Sequence, residues 1–275
     1  MEAFRRDIAG AARSCRASHL TYFEPQTVKR VAQSADAAIE VMSHYDGRRN
    51  KAKRRDAQAY MMRRGNRLTV AFRGTLTNGD VIDAVDIRHA TRLGGRLHRG
   101  FYEQFMSVQE DITADLDAAL RADQTVESLD FTGHSMGGGL AVIAAVFYGG
   151  TLRNVTAGDL RIECHAFGCP QFADEKLVRA FSASVDHSMC VNVAGDLVTM
   201  LPIHDDFVQL PNTLEILDGA AVSCVRGRGA RPSYAALLRQ ASRVGTVENA
   251  LDLHSIATYC RRLNALRDSL FFSEH

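Results

Sequence analysis

The sequence predicts an α/β fold with a mostly parallel central sheet and helices packed on both of its faces. Three observations support this prediction. Strands and helices alternate over residues 128–193. Residues 68–72 show almost no alternation of apolar and polar side chains, which is typical of a strand that is covered on both faces. The chain has 275 residues, 46% of them hydrophobic, so it is long enough for one such fold, and we expect a single domain over residues 1–275.

The first 56 residues are predicted to be a helical segment and a basic loop that pack on this domain. An apolar residue recurs every three to four positions over residues 27–45, which predicts an amphipathic helix. The basic cluster 48–55 that follows is typical of a solvated loop, and contact with anionic lipid headgroups is the alternative. The apolar positions of the helix are Val28, Val31, Ala32, Ala35, Ala38, Ile39 and Met42.

The elements that follow alternate between strand and helix. Residues 57–62 and 68–72 are joined by a short polar connection that contains Gly65, which predicts a β-hairpin. Helical periodicity then covers residues 104–121. The remaining predictions are strand 128–132, helix 140–148, strand 161–167, helix 174–183, strand 189–193 and a last helix 251–266.

Charge and hydropathy argue against two classes of protein. Lysine and arginine number 33 and aspartate and glutamate 32, which gives a formal net charge of +1 and no overall positive field for nucleic acid. The longest apolar run, 140–148, is far shorter than the ~20 residues of a transmembrane helix. Residues 1–8 include charges where a signal peptide is apolar, so we expect a cytoplasmic protein, with export without a cleaved leader as the alternative.

The cysteines show no C-x-x-C pair, and we expect them to be reduced, buried, apolar residues. A metal site at Cys164, His165 and Cys169 is not expected, because residues 164 and 165 are neighbours that point to opposite faces of a strand. The six cysteines are Cys15, Cys164, Cys169, Cys190, Cys224 and Cys260.

Residues 133–137, Gly-His-Ser-Met-Gly, form a G-x-S-x-G motif between a predicted strand and a predicted helix. A sharp turn from strand to helix holds the serine in a strained conformation, and only glycines leave room for the neighbouring backbone. Ser135 is therefore the candidate nucleophile, and we expect it to be exposed at the edge of the sheet. A glycine-rich turn without chemistry is the alternative.

A serine nucleophile needs a base, usually histidine, and an acid that orients it. Asp196 follows the strand 189–193, and His254 lies at the start of the predicted last helix, so the chain order is serine, acid, histidine. A turn aspartate and a structural histidine are the alternatives, and His204 is the reserve candidate for the base.

The developing oxyanion of acyl transfer also needs donors. Met136 supplies the backbone N–H that follows the nucleophile. Thr75, after the predicted strand 68–72, offers both a backbone N–H and a hydroxyl at a strand-to-loop junction. We therefore expect the oxyanion hole to be formed by Met136 and Thr75.

These motifs resemble the class 3 lipases, the fungal triacylglycerol lipase-like branch of the α/β-hydrolases. The resemblance covers roughly residues 57–260 and implies an α/β-hydrolase fold, a Ser135, Asp196 and His254 triad, and no metal or organic cofactor. It also implies that His98 is structural. The blocks that carry it are Val70–Thr75, Leu97–Phe101, Thr132–Gly138, Phe167–Pro170 and Asp196–Pro202.

The resemblance implies a serine carboxylic-ester hydrolase of lipase or phospholipase A type, which acts on lipid or other esters and contacts a lipid surface transiently. Residues 78–92 are a candidate lid, and an ordinary surface helix is the alternative. Two other functions stay open on the same fold. A catalytically silent binding or signalling scaffold is expected to lack one of the three triad residues, and all three are present here. An acyltransferase would keep all three.

Overall fold

The computed structural model describes residues 1–53, 55–74, 88–153, 160–202, 206–217, 221–225, 238, 240–242 and 244–272. Its helices include α1 (Glu2–Leu20), α2 (Pro25–Ala35), α3 (Arg99–Ala122), α4 (Met136–Arg153), α5 (Glu175–Ser184), α6 (Val247–His254) and α7 (Ile256–Phe272). Its strands are β1 (Glu40–Asp46), β2 (Gln58–Arg64), β3 (Arg67–Phe72), β4 (His89–Arg92), β5 (Gly95–His98), β6 (Ser128–His134), β7 (Arg161–Phe167), β8 (His187–Val193), β9 (Thr213–Ile216) and β10 (Val222–Val225).

The central sheet has eight strands in the order β1-β2-β3-β6-β7-β8-β9-β10. The five strands from β3 to β9 are parallel to one another, and β1, β2 and β10 are antiparallel to their neighbours. Strands β4 and β5 form a separate two-stranded sheet. The carboxyl ends of β6 and β8 therefore meet at one edge of the sheet, which is where open α/β sheets hold their ligands.

Helices cover both faces of the sheet, as the sequence predicts. Helices α3, α4 and α5 bury their apolar sides against one face, where Phe105, Phe131 and Tyr148 pack together. Helices α1 and α7 cover the other face and contact each other. Both ends of the described chain thus meet beneath the strands that lead to the candidate site.

The predicted helix over residues 27–45 is wrong beyond Ala35. Helix α2 ends there, the Asp36 carboxylate accepts a hydrogen bond from the backbone N–H of Ala38, and residues 40–46 form the edge strand β1. Strand β1 pairs with β2 and satisfies the backbone groups that β2 would otherwise expose. The helical spacing of apolar residues continues across this turn by coincidence, so periodicity could not locate the end of the helix.

The hairpin of β2 and β3 and the alternation from β6 to β8 confirm the predictions for those segments. The predicted last helix, in contrast, is two helices, because Ser255 is extended between α6 and α7. Residues 78–87 of the lid candidate 78–92 lie outside the described residues, and its end, residues 89–92, is strand β4. No described helix is long and apolar enough to cross a membrane.

The basic cluster 48–55 is a loop that begins with a short 3-10 turn over residues 47–49. Three of its cations pair with nearby acids, and two of these pairs reach helix α3. The pairs are Arg48 with Asp46 (2.7 Å), Lys53 with Glu110 (2.7 Å) and Arg55 with Glu103 (2.6 Å). Much of the charge is therefore compensated within the protein, which favours the solvated loop over a lipid contact.

Candidate active site

The turn from β6 into α4 holds Ser135 in a left-handed conformation, with φ of +58°. The flanking glycines explain how the chain makes this turn. A Cβ atom on Gly133 would lie 2.1 Å from the carbonyl oxygen of Gly137, and one on Gly137 would lie 2.4 Å from that of Phe72. Both positions exclude any side chain, so the G-x-S-x-G spacing records a steric requirement of the turn.

The structure brings Ser135, His254 and Asp196 together at the carboxyl edge of the sheet. The Nε2 atom of His254 is 2.8 Å from the Oγ atom of Ser135, and its Nδ1 atom is 2.8 Å from a carboxylate oxygen of Asp196. Because a carboxylate only accepts, the Nδ1–H donates to Asp196, and Nε2 is left to accept the Ser135 hydroxyl proton. This is the geometry of an activated serine.

Asp196 lies three residues beyond the end of β8 and is completely buried, with 0% of its surface exposed. Its carboxylate accepts hydrogen bonds from the Tyr259 hydroxyl at 2.5 Å and from the backbone N–H of Val198 at 3.0 Å, in addition to the His254 ring. Burial, followed by the charge of Asp196, raises the pKa of Tyr259 well above its usual value, so the hydroxyl remains a donor. The acid is thus held from three directions.

His254 is the last residue of α6, whereas the sequence placed it near the start of a single final helix over residues 251–266. The break at Ser255 leaves the backbone carbonyl of His254 without a helical partner. That carbonyl is 2.7 Å from Nε2 of His134, the residue before the nucleophile. The break therefore fixes the base to the nucleophile turn.

His134 is itself oriented by Tyr22, which follows the end of α1. The Tyr22 hydroxyl is 2.7 Å from Nδ1 of His134. Since Nε2–H donates to the His254 carbonyl, Nδ1 accepts from Tyr22. Burial, together with the nearby His254, lowers the pKa of His134 well below its usual value, so this ring is neutral at physiological pH.

Ser135 is not exposed at the sheet edge as predicted. Only 5% of its surface is exposed, and 8% of that of His254. The cover comes from the His254 ring on one side and from Gly74 on the other, where a Cβ atom would lie 3.2 Å from the Cβ of Ser135. The Ser135 side chain is therefore largely buried.

The structure describes one of the two predicted oxyanion donors, Met136, and not the other, Thr75. Met136 is the first residue of α4, so its backbone N–H lies at the positive end of that helix beside the nucleophile. Thr75 lies outside the described residues, although Gly74 before it contacts the nucleophile turn.

His204, the reserve candidate for the base, also lies outside the described residues. His98 is buried and caps the start of α3, which is a structural position.

Within the described part of the chain, one group of side chains could hold a metal ion: Asp130, Glu163 and His165, whose ligand atoms lie within 4.8 Å of one another. Its carboxylates already have partners. Glu163 pairs with Arg67 at 2.7 Å, and Asp130 accepts from the His165 ring at 2.8 Å and from Ser14. Arg67 therefore compensates the charge of Glu163, the Asp130 carboxylate is hydrogen-bonded within the protein, and the group lies at β6 and β7, away from Ser135.

Sequence reasoning missed three residues that build this site: Tyr22, His134 and Tyr259. Tyr22 and Tyr259 carry no local signal, because each acts through a partner more than 60 residues away along the chain. His134 lies within the G-x-S-x-G motif, so its position next to Ser135 could have identified it as a residue of the site.

The fold and the site geometry define the class of the protein as an α/β-hydrolase. A family model, "Lipase (class 3)", matches residues 69–205. The assignment of the chain to the class 3 lipases is confirmed, and this membership supports a carboxylic-ester hydrolase. No curated protein matches the chain significantly by sequence.

Solved structures with the same fold include fungal lipases. The triacylglyceride lipase of Rhizomucor miehei is 16% identical, with a TM-score of 0.68 over 90% of this chain and 93% of that one. The Lip2 lipase of Yarrowia lipolytica is also 16% identical, with a TM-score of 0.66 over 91% of this chain and 94% of that one. A triacylglycerol lipase described as having a serine protease triad is 17% identical, with a TM-score of 0.70 over 90% of this chain and 93% of that one. At this identity the likeness shows the fold.

Proposed function

We propose that this protein is a serine carboxylic-ester hydrolase of lipase or phospholipase A type, which acts through an acyl-enzyme. The observation that carries the proposal is the chain of two 2.8 Å contacts from Ser135 through His254 to the buried Asp196. The left-handed Ser135 at the start of α4 adds the strained turn that this chemistry uses.

In the first half of the reaction, the Ser135 Oγ attacks the ester carbonyl carbon while its proton passes to Nε2 of His254. The resulting oxyanion is stabilised by the backbone N–H of Met136 and, as the second donor, by Thr75. Asp196 holds the His254 ring and stabilises its positive charge. The ring then gives the proton to the leaving alkoxide, which departs as the alcohol.

In the second half, His254 takes a proton from water, and the hydroxide attacks the acyl-enzyme. The tetrahedral intermediate collapses, the acid is released, and the proton returns from His254 to the Ser135 oxygen. The role of Tyr259 and His134 in both halves is to keep the acid and the base in place. An acyltransferase would differ only in the second acceptor, an alcohol or a thiol in place of water.

A fluorophosphonate probe tests the proposal, because it labels activated serines regardless of acyl preference. The intact protein and Ser135→Ala are incubated with the probe, with and without detergent, and analysed by mass spectrometry. We expect one adduct on Ser135 and none on the variant. A folded wild-type protein that forms no adduct, even with detergent, would favour the silent scaffold.

The substrate class is decided by product analysis once labelling is positive. Hydrolysis is measured on triacylglycerols, phospholipids and soluble esters of increasing chain length, as monomers and as emulsions or vesicles. Because Ser135 is only 5% exposed, we expect faster turnover and faster labelling when a lipid or detergent surface is present. Adding an alcohol acceptor distinguishes acyl transfer from hydrolysis by its ester product.

A further inference from the structure

Two cysteines far apart in the sequence meet between the first and the last described helices. The Sγ atoms of Cys15 in α1 and Cys260 in α7 are 2.7 Å apart, although 245 positions separate the two residues. Both are free thiols. The separation is longer than the ~2.05 Å of a disulfide bond but much shorter than the ~3.5 Å at which non-bonded heavy atoms rest. The helices thus already hold the two sulfurs close to bonding distance.

The two thiols differ in their surroundings. Cys15 is fully buried, and burial followed by the hydrogen bond with Cys260 raises its pKa well above the usual value. The hydrogen bond from Cys15 lowers the pKa of Cys260; burial opposes this shift, and the hydrogen bond with His19 and the charge of Arg16 add to it. Cys260 is also partly exposed. Cys260 is therefore the more acidic and the more exposed of the two thiols, and the Cys15 thiol lies directly beside it.

This arrangement is that of a redox-active cysteine pair, in which an exposed thiolate is placed next to a second thiol that resolves it. We propose that Cys15 and Cys260 form an oxidative modification site, in which a hydroperoxide oxidises Cys260 and Cys15 closes a disulfide that joins α1 to α7.

The chemistry balances with a hydroperoxide as the oxidant. The Cys260 thiolate attacks the peroxide oxygen, the O–O bond breaks, and with one proton this gives a sulfenic acid and water when the oxidant is hydrogen peroxide. The Cys15 sulfur then attacks the sulfenic sulfur, and its proton leaves with the hydroxyl as a second water. The two thiols lose two electrons, and the peroxide gains them.

The cross-link lies next to the candidate active site. Tyr259, which donates to Asp196, is the neighbour of Cys260, and α7 begins two residues after His254. Joining α7 to α1 closes a very large loop of the chain. We therefore expect oxidation to raise the Tm by roughly 5–10 °C, from the usual stabilisation by a disulfide in a domain of this size.

Three further cysteines serve as an internal comparison. Cys164, Cys169 and Cys190 are buried, and burial raises the pKa of each, that of Cys190 to about 12. They should react with a stoichiometric amount of iodoacetamide at neutral pH much more slowly than Cys260. Labelling of the native protein therefore ranks the thiols before any oxidant is added.

Peptide mapping of the full-length wild-type protein tests the proposal. The protein is treated with a few equivalents of hydrogen peroxide, alkylated, and digested with trypsin without reduction. We expect peptide 14–16 linked to peptide 244–261, lighter by two hydrogens than the sum of the two and released by dithiothreitol. Recovery of both peptides in alkylated form, or a link between two chains on a non-reducing gel, would overturn the proposal.

Two variants separate the steps. Cys15→Ser should keep Cys260 as a sulfenic acid that dimedone traps, and Cys260→Ser should form no link. Neither variant should gain the rise in Tm on oxidation. If dimedone instead labels a buried cysteine and leaves Cys260 unmodified, Cys260 is not the reacting thiol. The wild-type mapping needs no variant to fold, and none of these readouts depends on the proposed hydrolase activity.

Discussion

Tyr259→Phe removes one oxygen atom that holds the candidate acid. The hydroxyl donates to Asp196 at 2.5 Å and accepts from the backbone N–H of Val193 at 3.2 Å, and Tyr259 is fully buried. Loss of a hydrogen bond to a charged group and of the partner of a buried N–H should together lower the free energy of unfolding by about 2–4 kcal/mol. Urea denaturation at pH 7 measures this change.

Tyr60→Phe is the matched control. Tyr60 is also buried, but its hydroxyl has no hydrogen-bond partner in the part of the chain that the structure describes. Removing an unsatisfied hydroxyl should leave the stability unchanged or raise it by up to about 1 kcal/mol. Equal effects of the two substitutions, or a loss below about 0.5 kcal/mol for Tyr259→Phe, would refute this account of the site.

Tyr259→Phe also has an expected effect on turnover. An Asp196 carboxylate with one fewer donor is less firmly oriented, so His254 is less well placed to take the Ser135 proton. We expect kcat to fall about tenfold with KM unchanged, because the loss acts on the reacting groups and not on substrate binding. A change confined to KM would contradict the positioning role.

Two further predictions concern the turn that carries Ser135. Gly137→Ala should prevent stable folding or lower the free energy of unfolding by more than about 3 kcal/mol, because the new Cβ meets the Phe72 carbonyl oxygen at 2.4 Å. Gly150→Ala is the control in the same helix, since nothing lies within 4 Å of the new Cβ. It should raise the free energy of unfolding by about 0.5–1 kcal/mol in the same denaturation assay. The pKa of His134 is lowered mainly by burial, so below pH 6.5 the unfolded chain binds a proton that the folded protein does not. The free energy of unfolding should therefore fall as the pH drops below 6.5, by up to ~1.4 kcal/mol per pH unit from this residue, and His134→Gln should show a shallower slope; equal slopes would contradict the assignment.

Local apolar patterns and steric requirements made five of the ten described strands predictable, together with the candidate serine, acid and base; these strands are β2, β3, β6, β7 and β8. Gly133 and Gly137 leave no room for a Cβ atom, so the motif that marks Ser135 is fixed by its own backbone. The near-continuous apolar character of β3 follows from helices on both faces of the sheet, and it indicates the fold before any contact is known. Such signals lie within a few residues of one another, which is why a single sequence reveals them.

Prediction failed where a distant partner decided the outcome. The helical spacing of residues 27–45 continues past Ala35, but the open edge of β2 takes residues 40–46 as a strand. The predicted last helix is interrupted at Ser255, where the His254 carbonyl meets the His134 ring. In both places the local pattern allowed a longer helix, and a hydrogen-bonding partner elsewhere in the fold provided a better alternative.

The sequence by itself determined the α/β architecture, the class 3 lipase family and the order of the candidate serine, acid and base, because each is recorded in short motifs and periodicities. Only the tertiary structure decided that Tyr259 holds the acid, that Tyr22 orients His134 beside the base, that Ser135 is covered, and that Cys15 meets Cys260. These contacts join segments more than 60 residues apart. Their chemistry arises from proximity in the folded chain, and proximity over such separations leaves no pattern in a local stretch of sequence.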